Sequence, residues 1–192
     1  MIIDISSYQG NINFNQVFQE NDIERIILRS TIKNGDFDSK FLSNLHEIKK
    51  LKPDMKVDCY KFTYARNFNE ASLEAFELVT MLKVSLADQY INTIWLDIEP
   101  VTGHVHDKSE CAQIISAYAL VLDQYGYQLG IYCNYTYAKT NIPEWAQIFP
   151  MWLARWNNEL GQVPPFKPSI WQYTSEGSVA GIQGHVDLSR YV

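Results

Sequence analysis

Apolar and polar residues follow two alternating rhythms along the first two thirds of the chain. "IIDIS" (2–6) is a short β-type run, followed by "NFNQVFQEN", in which Asn13 and Gln16 are spaced like a helix capping box. "RIILRS" (25–30) reads as a second strand. "DSKFLSNLHEIKKL" (38–51) reads as a helix with Asp38 as N-cap and Phe41, Leu42, Leu45 and Ile48 on one face. "KVDCYKFTY" (56–64) is a third strand, and "NEASLEAFELVTMLKVSL" (69–86) a helix with its apolar residues at Leu73, Phe76, Val79, Leu82 and Leu86. "TIWLDIE" (93–99) is the fourth strand. Asp107 and Glu110 open a helix carrying Cys111, Ile114, Ile115, Tyr118, Leu122 and Tyr125, and "QLGIYCN" (128–134) is the fifth strand.

Repeated β–α units with short connections argue for a parallel sheet, curled or doubly wound. The rhythm then changes. "MWLAR", "SIWQYT" and "HVDLS" read as three more strands, but the intervals between them hold turn residues and Pro164, Pro165 and Pro168 instead of long amphipathic helices. Eight strands suit a barrel, yet a regular (β/α)₈ barrel usually needs more than about 200 residues, and this chain has 192. The expectation is an α/β fold, an irregular TIM-like barrel of five β–α units plus three further strands. No linker-like stretch divides it, so residues 1–192 are read as a single domain.

Composition narrows the function classes. A hydrophobic fraction of 46% is that of a globular protein. Aromatics reach 14%, which suits either stacking on ring-shaped ligands or a large core. The net charge is -6 and Lys and Arg form no dense run, so no nucleic-acid partner is expected. No run of about 18 apolar residues exists, so no membrane insertion is expected. Cys59, Cys111 and Cys133 lie in no metal-ligand spacing and read as small buried hydrophobes. The opening "MIIDISSYQG" has no basic segment followed by an apolar one, so it is not read as a secretory signal.

The chemistry concentrates in "WLDIEP". Side chains two apart in a strand share a face, so Asp97 and Glu99 project together above Trp95 at the end where parallel barrels keep their active sites. Neighbouring anions at a partly apolar rim repel, and one is expected to hold its proton to a higher pH than a free carboxyl, as a general acid must. The bland alternative is a strand end whose acids cap a loop or bind a lysine. Asp4, late in the first strand, and Asp187, in the last, become neighbours of that site if the barrel closes. Four such acids read better as a cleft than as independent caps.

Four carboxylates also suit Mg²⁺ or Ca²⁺. His46 and His185 are isolated, and His104 and His106 form an i, i+2 pair in a Gly-containing loop with little scaffold, so no metal and no cofactor are expected. No G-x-S-x-G and no Cys–His pairing supports a Ser or Cys nucleophile.

Taken in order, "DISSYQGNINF", "YKFTYA" with "EASLEA", "WLDIE", "GIYCN", "WLAR" and "IWQYTSEGSVAGIQGHVDLS" resemble the lysozymes of glycoside hydrolase family 25, the Chalaropsis type found among bacterial autolysins and phage endolysins. The resemblance runs end to end. It implies N-acetylmuramidase activity on bacterial cell-wall peptidoglycan, at the β-1,4 bond from N-acetylmuramic acid to N-acetylglucosamine. It also implies Glu99 as acid/base, Asp97 as its companion, and Asp4 and Asp187 as acids completing the cleft. Phe14, Asp58 and Lys61 depart from residues common in that family, outside the acid pair. The enzyme is then expected to act on the wall, either released from the cytosol at lysis or as a trimmed secreted domain.

Tyr60, Phe62, Tyr132 and Trp152 are candidate sugar-stacking residues, with core packing the alternative for each. Arg29 and Lys61 are candidates for a substrate carboxylate, with pairing to a nearby acid the alternative. Strand spacing does not decide between a nucleophilic carboxylate, attack by the substrate's own acetamido group, and water. The family favours net retention. A non-catalytic glycan-binding barrel and a chitin-directed hydrolase are the competing functions.

Overall fold

The structure is a computed structural model and describes every residue except Thr102, Asn157, Asn158 and Pro164. The expectation resting on Pro164 therefore lies outside the described residues. Eight strands form a closed barrel in chain order. They are β1 (Ile2–Ile5), β2 (Arg25–Arg29), β3 (Lys56–Phe62), β4 (Ile91–Asp97), β5 (Gln128–Asn134), β6 (Met151–Ala154), β7 (Pro168–Gly177) and β8 (Val186–Tyr191). Five helices alternate with the first strands: α1 (Phe14–Glu20), α2 (Phe41–Leu51), α3 (Phe68–Val84), α4 (Lys108–Gln124) and α5 (Tyr135–Thr140). The irregular barrel read from length and pattern is the observed one.

Strands β1 to β7 run parallel, whereas β8 runs antiparallel to both β7 and β1. No helix follows β7, so the chain turns straight back and closes the barrel with a reversed strand. A direct reversal needs only a short turn, while a parallel return needs a crossover of a dozen residues or more. This reversal is how 192 residues suffice.

The period of two along the strands creates two apolar cores. Ile3, Ile5, Ile26, Leu28, Ile94, Leu96, Ile131 and Cys133 point outward and join the helices in one large cluster. Ile2, Ile27, Trp95, Tyr132, Trp152, Ala154 and Ile170 point inward and fill the barrel. Trp95 and Trp152 meet edge-on with ring centroids 5.8 Å apart. Gly130 faces Trp95, where a Cβ would lie 2.4 Å from the indole. Below them Asp58, fully buried, accepts from Arg25 at 2.6 Å, from Trp95 Nε1 at 2.9 Å and from the Thr93 amide at 3.2 Å. Asp58 is thus a satisfied floor residue.

Local expectations hold unevenly. Asp107 and Glu110 form the capping box of α4. Asn13 caps α1 by accepting from the Gln16 amide, but the Gln16 side chain reaches forward to Glu20 instead of back. Asp38 does not cap α2, which starts after Lys40; its carboxylate binds the amides of Lys40 and Ser7 and the Ser7 hydroxyl, tying the β1 exit to the β2 exit. The apolar stripe read on α3 is displaced. Leu73, Phe76 and Leu86 are exposed, and the buried face is Ala71, Ala75, Leu78, Val79 and Leu82. α3 packs on α4, where small alanines permit close approach, and Leu86 has left the helix with a φ of 58°.

Gly130→Ala is expected to destabilise the fold by about 1–3 kcal/mol, because the indole has no space to retreat. Urea unfolding should show a lower midpoint with an unchanged m value. An unchanged midpoint would mean that Trp95 is not wedged against this strand.

Candidate active site

Strand direction assembles the acids. Asp4 lies third in β1, and the antiparallel register sets Asp187 directly opposite it. Asp187 is near the start of β8, yet it reaches the same mouth because β8 runs the other way. Asp97 ends β4 between Phe62 of β3 and Tyr132 of β5. Glu99 lies just past the strand. The backbone stays tied there, since the Ile98 amide donates to the Tyr132 carbonyl at 3.0 Å. Asp4, Asp97, Glu99 and Asp187 thus converge on one end of the barrel.

Their electrostatics confirm the crowding. Burial, then the Asp187 charge, pushes the Asp4 carboxyl well above the usual carboxylate range, and Asp97 adds to the push. Asp187 is also raised by burial, with a hydrogen bond from Asp4 in opposition, so the two carboxyls face each other across the strand pair. Asp97 is raised well above its ordinary value by burial and then by Glu99, with Arg29 in opposition. Burial raises Glu99 as well, and a hydrogen bond from the Asn134 side chain restrains it. Asp97 Oδ1 is buried and has no hydrogen-bond partner.

Two residues not singled out from the sequence hold this arrangement. Gln172 of β7, 1% exposed, donates from Nε2 to Asp4 Oδ2 and Asp187 Oδ2, both at 3.1 Å. Its Oε1 accepts from Tyr132 Oη and from Trp156 Nε1, both at 3.0 Å. Asn134 ends β5, caps α5 by accepting from the Tyr137 amide at 2.9 Å, and turns its remaining amide group to Glu99. A polar residue at an inward position of "IWQYT" was the available signal for Gln172.

An open cleft of about 500 Å³ adjoins Glu99, with Tyr132, Asn134, Tyr135, Arg155 and Trp156 in its walls. On the far side of the acid strand a smaller depression of about 320 Å³ is lined by Lys33, Phe62, Tyr64, Arg66, Pro100 and Val101. Phe62 and Tyr132 therefore border open space. Tyr60 is half-buried at the mouth, edge-on to Trp152 at 6.4 Å. Trp152 itself is only 2% exposed, beneath Tyr60 and Tyr132 with its Nε1 bonded to Ser189. It offers no face to a sugar and is a floor residue, contrary to the stacking role expected for it.

The cation candidates also separate. Arg29 stands at the mouth, its guanidinium over the exposed Tyr8 ring and its charge acting on Asp97. Lys61 points outward, buried where the charges of Glu74 and Glu77 of α3 act on it, and so faces away from the mouth. A third depression of about 450 Å³ lies around Glu24, Lys52 and Tyr191 and holds none of the four acids. His106 is buried on the Ala65 carbonyl and Tyr137, and His104 pairs with Glu110 at 3.1 Å. Among the described residues no group of three or more His, Cys, Asp or Glu is placed to hold a metal ion, and no helix is long and apolar enough to cross a membrane. All three cysteines are buried and unpaired as disulfides.

A profile described as "Glycosyl hydrolases family 25" matches residues 3–182. The autolytic lysozyme of Clostridium acetobutylicum is 24% identical over 195 residues, which cover 98% of this chain and 55% of that protein. The modular autolysin LytC of Streptococcus pneumoniae superposes with a TM-score of 0.88 at 28% identity, over 98% of this chain and 45% of its own. LytC has also been solved with a synthetic peptidoglycan ligand. The catalytic domain of endolysin ply40 from bacteriophage P40 of Listeria monocytogenes has a TM-score of 0.76 at 22% identity, over 100% of this chain and 92% of its own. The chain spans about half the length of the first two of these relatives. With its profile match over nearly the whole length and its acids gathered at one barrel mouth, the chain belongs to family 25 of the glycosyl hydrolases.

Proposed function

We propose that residues 1–192 form a single catalytic domain that hydrolyses peptidoglycan at the cell wall as an N-acetylmuramidase. It cuts the β-1,4 bond between N-acetylmuramic acid and N-acetylglucosamine. The observation that carries this reading is the pairing of Glu99, which borders an open cleft, with Asp97, whose buried Oδ1 has no partner. The relatives named as autolytic lysozyme and autolysin, one of them solved with a peptidoglycan ligand, support the same substrate.

In this mechanism Glu99 is the general acid. Burial raises its proton affinity while the Asn134 amide keeps the carboxyl oriented, so a proton stays available to the leaving oxygen at higher pH than on a free carboxyl. Asp97 sits deeper, and protonating Glu99 removes the neighbouring charge that helps to raise it, so with Glu99 as the proton carrier Asp97 lends negative charge to the oxocarbenium-like state. Its unpartnered oxygen fits an N–H donor brought by the substrate, which a 2-acetamido group supplies. Through that contact Asp97 holds the acetamido carbonyl oxygen toward the anomeric carbon and favours net retention. Asp4 and Asp187, sharing a proton, contribute one negative charge to the mouth instead of two. Phe62, Tyr60 and Tyr132 border the path of the sugar, and Arg29 is the candidate partner of a substrate carboxylate.

Glu99→Gln is expected to lower the rate of turbidity loss on purified Gram-positive walls by about 10²–10⁴-fold, with the thermal transition retained. Wild-type fragments should carry N-acetylmuramic acid at their new reducing ends. Wild-type rates in a folded Glu99→Gln variant would remove it from the acid role, and N-acetylglucosamine reducing ends would redirect the reading to a different glycosidic bond.

The acids also set a pH dependence of stability. Because the folded-state pKa of Asp4 is raised, the folded protein keeps a proton there that the unfolded chain loses. That stabilisation is complete below about pH 4 and declines as pH rises through the raised folded value. Asp4→Asn keeps an acceptor for Gln172 and cannot ionise. Its melting temperature should match wild type at acidic pH and exceed it at pH 8, by about 2–4 °C for each kcal/mol recovered, while lysis falls. An equal gap at both pH values would show that ionisation of Asp4 costs the fold nothing.

A further inference from the structure

Gln172 has a hydrogen-bond pattern that admits one arrangement. Trp156 Nε1 can only donate, so the atom facing it must be the amide oxygen. The nitrogen then faces Asp4 and Asp187, which are acceptors when ionised. With Tyr132 Oη as second donor to the oxygen, both lone pairs and both N–H bonds of the amide are used. Three of the partners come from different strands, Asp4 from β1, Tyr132 from β5 and Asp187 from β8, and the fourth, Trp156, from the segment just beyond β6. Gln172 is buried, whereas Trp156 is 45% exposed and lines the cleft beside Glu99.

We infer that Gln172 is a positioning residue for the Asp4–Asp187 pair, and that the Trp156 indole is the handle by which an occupant of the cleft acts on it. The inference deepens the muramidase reading by assigning a regulator of proton sharing to the same site. A hydrogen bond into Oε1 polarises the amide and strengthens the two that leave Nε2. A sugar packed on the Trp156 face holds Nε1–H on Oε1, so the carboxylates receive firmer donation when the cleft is filled than when it is empty. Firmer donation favours the charged form of the pair. The other groups facing the pair are Tyr60 of β3, Asp97 of β4 and Tyr132 of β5, with Arg29 of β2 acting through Asp97. None of these can replace the Trp156 N–H at Oε1 except Tyr132, which already donates there.

The test uses Trp156→Phe, which keeps a ring face and deletes the N–H, beside Gln172→Met, which keeps length and deletes the amide. In resting protein labelled with ¹³C at aspartate carboxyls, the Asp4–Asp187 titration should move to higher pH, by about half a unit for Trp156→Phe and about one unit for Gln172→Met. On walls, Trp156→Phe should lower kcat several-fold with KM within about twofold, and the pH profile of kcat should move in the same direction. A role confined to folding lowers the amount of active enzyme and leaves both midpoints in place, and that result would overturn the inference. Because the carboxyl titration needs no substrate, a failure of the muramidase reading would appear separately, as absent lysis by the wild type. If Gln172→Met does not fold, the Trp156→Phe titration decides alone.

Discussion

Taking a carboxylate out of water costs several kcal/mol unless something replaces its hydration, and this barrel places four acids at one mouth within reach of one another. The replacement comes mainly from amides. Gln172 donates to Asp4 and Asp187, and Asn134 restrains Glu99, while Arg29 acts at longer range on Asp97. The choice of donor has a chemical consequence. A cation in contact would hold these carboxyls ionised, far below the pH at which an acid catalyst operates. A neutral amide steadies the geometry and leaves the proton exchangeable. The surrounding fold can be read as the means of holding such donors in place.

Asp58 and Asp97 make the point by contrast, since both are buried on inward positions of adjacent strands. Asp58 meets Arg25, the Trp95 indole and the Thr93 amide, so its oxygens are satisfied and its burial serves the floor. Asp97 keeps an orphan oxygen against the mouth. An unsatisfied buried polar atom costs about 1–3 kcal/mol, a cost that Asp58 does not carry. The difference between the two acids lies in the partners provided and not in depth.

The sequence disclosed most of this to the extent that it is written in local periods. The eight strands, the acid strand and the convergence of Asp4 and Asp187 follow from alternation and barrel closure. What escaped depends on contacts between distant segments. The α3 face was misplaced because large side chains mark a stripe, whereas packing against α4 is set by Ala71 and Ala75. Trp152 stayed open between platform and core because an aromatic near a strand end looks the same whether its ring lies at the rim or one layer down. Gln172 carries no charge that would mark it within "IWQYT", and its importance comes from four partners spread over the chain.

The reversed strand ties these observations together. In an antiparallel pair, residues directly opposite have Cβ atoms about 4.5–5.5 Å apart, and like charges there are destabilising. The seam between β1 and β8 sets two aspartates in such a pair. Closing the barrel without further helices therefore sets two like charges opposite each other in the mouth, and burial with that charge raises the proton affinity of Asp4. β7, the other neighbour of β8, supplies the amide that reaches both members. Shortening the chain and setting two acids face to face are then one structural event, which explains why the irregular part of the barrel is also where two of its acids meet.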